Sequence, residues 1–408
     1  MTQQQILDEY KHDLLGVFGD PSLVLVEGSG NIVTDANGKQ YLDLLAGIAV
    51  NSLGHAHPRW VQAVQQQAAK LAHISNFFTS PTQVRLASTL IEKLSPVQAA
   101  RVFFCNSGAE ANEAAYKLAR RHGNLSSPQR TTILALEHGF HGRTTGALAL
   151  THKPAYREPF EPLPTGIKHI PATLEALEAH CDETVAALIV EPIQGEAGVL
   201  PLPPGYLARA RELTRANGAL LIVDEVQTGM GRTGLWFECT RELSAENLPD
   251  VITLAKGLGA GFPVGAMIVV GQNPAALLQP GMHGTTFGGN PLATATALAT
   301  VETIDEEHLL SNAEKVGAYI RERVGSLPEV DETTGRGLLI GIRLTHEKTR
   351  SGLPLAPTVV ERARHHGFII NATGPSVVRL APALNISIVE VENFCRQFPA
   401  IVSEADNC

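Results

Sequence analysis

Six short, largely apolar runs, separated by stretches with helical spacing, restrict the folds open to this chain more than any other feature. They fall at residues 101–105, 131–135, 185–190, 219–223, 251–254 and 266–270. A strand wetted on one face alternates polar and apolar residues; these runs do not, so both of their faces must be covered. Helical patterns at 110–121 and 204–216 lie between them. Strands alternating with helices build a mostly parallel sheet with helices on either side, so the expected class is α/β.

The flanks read differently. Residues 31–44 form two alternating segments around Asn37-Gly38, a pair that supplies the positive φ of a tight hairpin turn. Trp60, Val61, Val64, Ala68 and Leu71 recur at helical spacing after Pro58, a residue the first turn of a helix tolerates. Beyond Pro291 a long Ala/Leu/Thr helix is followed by shorter strands, including 338–344 and 368–371. A chain of 408 residues exceeds one ordinary core. The expected division is a large domain over 56–290, a smaller α+β domain over 291–408, and an N-terminal segment, 1–55, packing with the smaller domain.

Composition excludes several functions. A net charge of −9 provides no basic field for nucleic acid or an anionic membrane. The cysteines, Cys105, Cys181, Cys239, Cys395 and Cys408, are odd in number with no CxxC spacing. That argues against a disulfide framework or a zinc site and fits a reducing compartment. Residues 1–10 lack the apolar core of a signal peptide, and no run approaches the ~20 apolar residues of a membrane helix. The expectation is a soluble cytoplasmic protein without metal, membrane or nucleic-acid partners.

Polar clusters follow the apolar runs, where ligands of open α/β sheets gather. After Cys105, Ser107 and Glu110 have capping-box spacing, and Gly108-Ala109 would open the helix with backbone N–H groups exposed to an anion; an ordinary cap reads the same way. In Gly139-Phe140-His141-Gly142-Arg143, an aromatic could stack on a planar ring and an arginine could clamp a carboxylate, or the pair could be a core ring and a surface charge. Glu191 to Glu196 end one run, as site acids or loop charges. Asp224 ends the run 219–223 and could pair with a buried cation: a protonated pyridine nitrogen, or a metal, though no His or Cys at ligand spacing joins it. Lys256 closely follows another apolar run, where desolvation would depress its pKa and suit an amine nucleophile. Gly257 to Gly261 does not have the spacing of a dinucleotide fingerprint. Thr285 and Thr286 lie in a Gly-rich loop suited to phosphate or substrate, or to a plain interdomain turn. An anion cap, a strand-end acid and a lysine closely following a strand, in that order, are together the layout of a pyridoxal-phosphate site.

From residues 42–51 to Val378-Arg379-Leu380-Ala381-Pro382, and most specifically around Asp224, Lys256 and Thr286, the sequence resembles the class III, fold-type-I aminotransferases. Within that class it is most similar to the branch that acts on acetylornithine. The resemblance implies the fold-type-I transferase fold, pyridoxal phosphate as cofactor, and catalysis by Lys256 and Asp224. It implies cofactor contacts at Gly108, Ala109, Phe140, Asp224, Glu225, Val226, Gln227, Lys256 and Thr286, the last reaching across the interface of a homodimer. Phe140 would stack on the pyridine ring, Asp224 would keep its nitrogen protonated, Gln227 would contact its phenolic oxygen, and Lys256 would carry the cofactor as a Schiff base. Arg143 and Thr285 would hold substrate, with Arg379 gripping the α-carboxylate of glutamate and Glu196 masking it otherwise. Related ornithine aminotransferases carry a tyrosine near Gly47, whose absence here leaves room for an acylated amine. The implied reaction moves the terminal amine of N-acetylornithine to 2-oxoglutarate. Succinylornithine, 4-aminobutyrate, succinyldiaminopimelate and ornithine are alternative donors, and a non-catalytic, cofactor-binding sensor is the alternative outside the enzyme class.

Overall fold

The computed structural model describes residues 1–94 and 99–408. Its large sheet has seven strands, numbered here in chain order: β1 Ala100–Cys105, β2 Thr132–Leu136, β3 Ile167–Ile170, β4 Val185–Val190, β5 Leu220–Asp224, β6 Val251–Leu254 and β7 Gly265–Val270. They lie in the order β1-β7-β6-β5-β4-β2-β3. The strands from β6 through β3 pair in parallel, whereas β7 runs antiparallel to both β6 and β1. The reason is length: the chain between β6 and β7 holds only a 3-10 turn, Lys256–Leu258, and a parallel return needs a crossover of a dozen or more residues.

Six of these strands coincide with the apolar runs to within a residue or two. The seventh, β3, was not legible: it sits at the sheet edge, and its exposed Lys168 breaks the apolar pattern. Every residue of β4 is buried. One face of the sheet is covered by the helix Gly108–Leu125, whose Ala114, Ala115, Leu118 and Ala119 pack on Ile133, Ala135, Ile189 and Ile222. Tyr206, Leu207 and Ala210 of the helix Tyr206–Asn217 join a core with Leu188, Leu221 and Val223.

A separate apolar cluster gathers Leu42, Leu44 and Leu53 with Leu338, Ile340, Val378, Phe394 and Phe398. The N-terminal hairpin, Ile32–Asp35 with Gln40–Asp43, pairs its second strand in parallel with Phe368–Ile369. The run 368–371 is thus two strands rather than one. Asn371–Ala372 belongs to another sheet, paired with Val377–Leu380, and this places Asn371 opposite Arg379. The helix Pro291–Glu306 links both clusters: Ala293, Ala297, Leu298 and Val301 pack with the large sheet's core, and Ile304 packs in the second. Among the described residues, no helix is long and apolar enough to cross a membrane.

Candidate active site

The carboxyl ends of β1, β4, β5 and β6 open into one cavity of about 430 Å³, lined by Ser107–Ala109, Glu191, Asp224 and Lys256. The helix Gly108–Leu125 begins at its rim. Ser107 is the N-cap, its hydroxyl accepting from the Glu110 N–H at 3.1 Å. Glu110 reaches back one residue further than a capping box requires, accepting from the backbone and side chain of Asn106. A Cβ on Gly108 would come within 2.7 Å of Val226 Cγ1, so only glycine lets the two segments meet there.

Asp224, the last residue of β5, is buried and held by three donors. Asn112 Nδ2 and His141 Nδ1 lie 2.7 and 2.8 Å from its Oδ2, and the Val226 N–H lies 3.0 Å from Oδ1. Asn112 in turn accepts from Thr253 Oγ1 at 2.7 Å and donates to the His141 carbonyl. The carboxylate is therefore fixed in orientation by side chains from a helix, a loop and β6. Beside it, burial and the nearby Asp224 charge push the Glu191 carboxyl well above the usual carboxylate range; it accepts from the Phe140 N–H at 3.0 Å.

Lys256 follows β6 by two residues and opens the 3-10 turn with φ +39°, a left-handed conformation that costs a non-glycine residue roughly 1–2 kcal/mol. Burial lowers the pKa of its amine, and Arg379 adds to the effect, against the opposing charges of Glu196, Glu191 and Asp224. An amine whose charged form burial disfavours, lining a cavity beside an oriented carboxylate, is suited to act as a nucleophile and a proton carrier.

Arg379, on the strand Val377–Leu380, is wholly buried. Its Nη1 lies 2.5 Å from Glu196 Oε1, 3.0 Å from the Gly195 carbonyl and 3.4 Å from Gln227 Oε1; its Nε donates to Asn371 Oδ1 at 3.1 Å. Nη2 has no partner. Burial raises the Glu196 carboxyl, but the charge and hydrogen bond of Arg379 outweigh it, so its pKa falls below the ordinary value. A Cβ on Gly195 would lie 1.8 Å from Gln227 Oε1, so a larger residue at that turn would displace the Gln227 amide from the arginine.

Most of the residues singled out in the sequence meet here: Gly108, Ala109, Phe140, Arg143, Glu196, Asp224, Val226, Gln227 and Lys256 all line the cavity, with Arg379 behind Glu196. Three stand apart. The Glu225 side chain turns into the core, accepting from the Thr228 hydroxyl and, at 2.7 Å, from the Cys239 N–H, so it fixes the loop rather than the cavity wall. Thr285 accepts from Asn106 at 3.0 Å and lines a neighbouring cavity, and Thr286 is exposed. Gly47 has φ +66° within a left-handed run from Ala46 to Ala49, and a Cβ there would only touch Val50 and Asn51. Asn112 and His141 were missed as site residues. Asn112 was legible as the position one helical turn after Gly108, on the same face.

The fold and this site define a class-III aminotransferase, and the chain belongs to that family: the family profile, Aminotransferase class-III, matches residues 18–402. An acetylornithine aminotransferase from Streptomyces coelicolor is 48% identical over 99% of this chain and 97% of its own length. Among solved structures, the ornithine aminotransferase of Toxoplasma gondii superposes with a TM-score of 0.91 at 32% identity, covering 100% of this chain and 96% of that one. N-acetylornithine aminotransferase from Stenotrophomonas maltophilia superposes with a TM-score of 0.80 at 33% identity, over 98% of each chain.

Proposed function

We propose that this chain binds pyridoxal phosphate and transfers the terminal amine of N-acetylornithine to 2-oxoglutarate, yielding N-acetylglutamate 5-semialdehyde and glutamate in arginine biosynthesis. The observation that carries the reading is the meeting of Lys256 and Asp224 in one cavity with the Glu196–Arg379 pair. The residues fit the cofactor. Ser107, Gly108 and Ala109 present the helix N-terminus to the cavity, where it would receive a phosphate, Phe140 would offer a ring face, and Asp224 would offer an oriented carboxylate to a pyridine nitrogen.

When bound, the cofactor supplies a ring that withdraws electrons from the carbon bearing the amine. The protein does the rest. Lys256 Nζ would provide the point of attachment and would carry the proton from that carbon to C4′ of the cofactor. Asp224 holds positive charge on the ring nitrogen. Gln227 lines the cavity and accepts from Arg379, and in this reading it would contact the ring's phenolic oxygen. Arg143 grips the substrate carboxylate. Arg379 stays paired with Glu196 while the acetylated donor is bound and takes the α-carboxylate of glutamate in the other half-reaction. The likeness to acetylornithine aminotransferases in sequence, and glycine at position 47, favour the acylated donor over ornithine.

The working form in this reading is a cytoplasmic homodimer. Exposed Phe77, Phe78 and Phe287 would be covered by the second copy, and Thr286 would reach that copy's cofactor phosphate. Four of the five cysteines are buried thiols, as a reducing compartment permits. The test is a half-reaction screen: the visible absorbance of the loaded protein should collapse fastest with N-acetylornithine, compared with ornithine, succinylornithine, succinyldiaminopimelate and 4-aminobutyrate. Faster reaction with ornithine would overturn the donor assignment, and no reaction with any amine would leave a binding protein.

A further inference from the structure

The two substrate arginines are held in opposite ways. Arg379 is paired with an acid; Arg143 is held by rings. Its guanidinium carbon sits 3.5 Å from the Tyr156 ring centroid and 5.7 Å from that of Phe140. Those two rings meet edge to face, 6.4 Å apart at 84°. No acid among the described residues pairs with Arg143. Tyr156 belongs to the short helix Pro154–Arg157, a segment in neither the acid nor the lysine motif. It lines a second cavity of about 590 Å³, which shares Phe140 and Glu196 with the cavity of Lys256.

We infer that Tyr156 is the positioning residue for Arg143, and that it sets how tightly the site grips a substrate carboxylate. The inference rests on the proposed use of Arg143 as the carboxylate clamp. An arginine side chain has many rotamers, and one that must present a planar fork has to be pre-set. An acid would pre-set it but would occupy the same in-plane N–H donors that the substrate needs. An aromatic face orients the guanidinium through its plane and leaves the fork free for a two-point grip. At Arg379 the opposite requirement holds: that arginine must be masked in one half-reaction, and an acid masks it. The site thus has one arginine that is always open and one that is gated. Lys153, with Nζ 4.7 Å from the same Tyr156 ring, adds a second cation to that ring without joining the Lys256 cavity.

The test compares Tyr156→Leu, Tyr156→Phe and Arg143→Lys in the cofactor-loaded enzyme. Tyr156→Leu is expected to raise KM for N-acetylornithine and for 2-oxoglutarate about fivefold, as loss of a cation–π contact at an exposed arginine would. Turnover at saturation and the cofactor absorbance should change little. Tyr156→Phe keeps the ring face and should stay within about threefold of the parent. Should the leucine variant fail to fold, stepwise-fluorinated phenylalanines incorporated at 156 weaken the ring face at nearly constant shape, and KM should rise with each fluorine. An unchanged KM in Tyr156→Leu, a phenylalanine variant as weak as the leucine one, or no trend with fluorination would each overturn the inference. If Arg143→Lys itself leaves both KM values unchanged, the fault lies with the clamp assignment. If Arg143→Lys weakens binding and Tyr156→Leu does not, it lies with Tyr156 alone.

Discussion

Arg379 and Glu196 form a charged pair of 2.5 Å in which the arginine is buried and tied on several sides while the acid is partly exposed. The Arg379 side chain is 0% exposed and the Glu196 side chain 40% exposed. Arg379 is also tied at Nε to Asn371 and at Nη1 to the Gly195 carbonyl, whereas Glu196 sits on a single 3-10 turn. If the pair opens for an incoming carboxylate, the acid swings out and the arginine stays, because an unpaired guanidinium within the protein carries the larger desolvation cost.

Glu196→Ala should therefore improve the glutamate half-reaction relative to the N-acetylornithine one, by removing the competitor for Arg379. Arg379→Ala should do the reverse, with a loss for glutamate on the order of 2–5 kcal/mol in kcat/KM. Single-turnover rates for both donors with both variants decide it. Equal losses for the two donors would make the pair a structural salt bridge.

The lowered pKa of Lys256 predicts how the cofactor attaches. The amine attacks only when neutral, so the attachment rate should rise with pH and level off above the Lys256 pKa. That plateau should begin below the ordinary lysine value of 10.5. Glu196→Ala removes the largest charge that raises this pKa, so the plateau should shift to lower pH. Stopped-flow absorbance on the cofactor-free protein across about pH 6–11.5 tests both, in roughly half-unit steps. A plateau at the ordinary lysine value would refute the effect of burial. Lys256→Ala should lose transamination altogether while still binding the cofactor weakly.

What the sequence made legible and what it did not divide along physical lines. The strands buried on both faces left unbroken apolar runs, and the polar residues just beyond them are the ones that converge. β3 did not show, because an edge strand needs no apolar pattern on its exposed side. The antiparallel direction of β7 did not show either, since strand direction is set by the short 255–264 connection and not by composition. Glu225 misled because it sits next to Asp224, and adjacent residues at a strand end point to opposite sides. Helical spacing puts Asn112 on the face of Gly108 but does not reveal its partner, Asp224, far away in sequence, and no local pattern marks the pairing of Tyr156 with Arg143.

Asn112 supports Asp224 and His141 together, so its removal should have a mixed signature. Asn112→Ala leaves the buried Thr253 hydroxyl without its acceptor and should cost about 1–3 kcal/mol of stability. The rate should fall less than in Asp224→Ala, where loss of the oriented carboxylate should cost about 10²–10³-fold with the cofactor still attached. Urea midpoints and kcat for the two variants separate these effects. A larger rate loss in Asn112→Ala than in Asp224→Ala would show that the asparagine acts in its own right.

Glu225 should make stability depend on pH near neutrality. Burial raises its carboxyl to about 7, against the hydrogen bonds from Thr228, Cys239 and Glu238 that favour the charged form. In the unfolded chain the same group titrates near its ordinary 4.5. Between those values the folded state holds a proton that the unfolded state has released. The stabilising contribution is therefore complete below the unfolded pKa and is lost as pH rises through the folded one. A shift of this size corresponds to a change on the order of 3 kcal/mol. Glu225→Gln keeps an acceptor for Cys239 N–H and cannot ionise, so it should behave as the protonated wild type at every pH. Other titrating groups are common to both proteins and cancel in the difference. Urea denaturation of the loaded enzyme at about pH 5 and pH 8 should show the variant gaining on the wild type as pH rises. Parallel stability profiles would mean that the Glu225 carboxyl titrates alike in the folded and unfolded states.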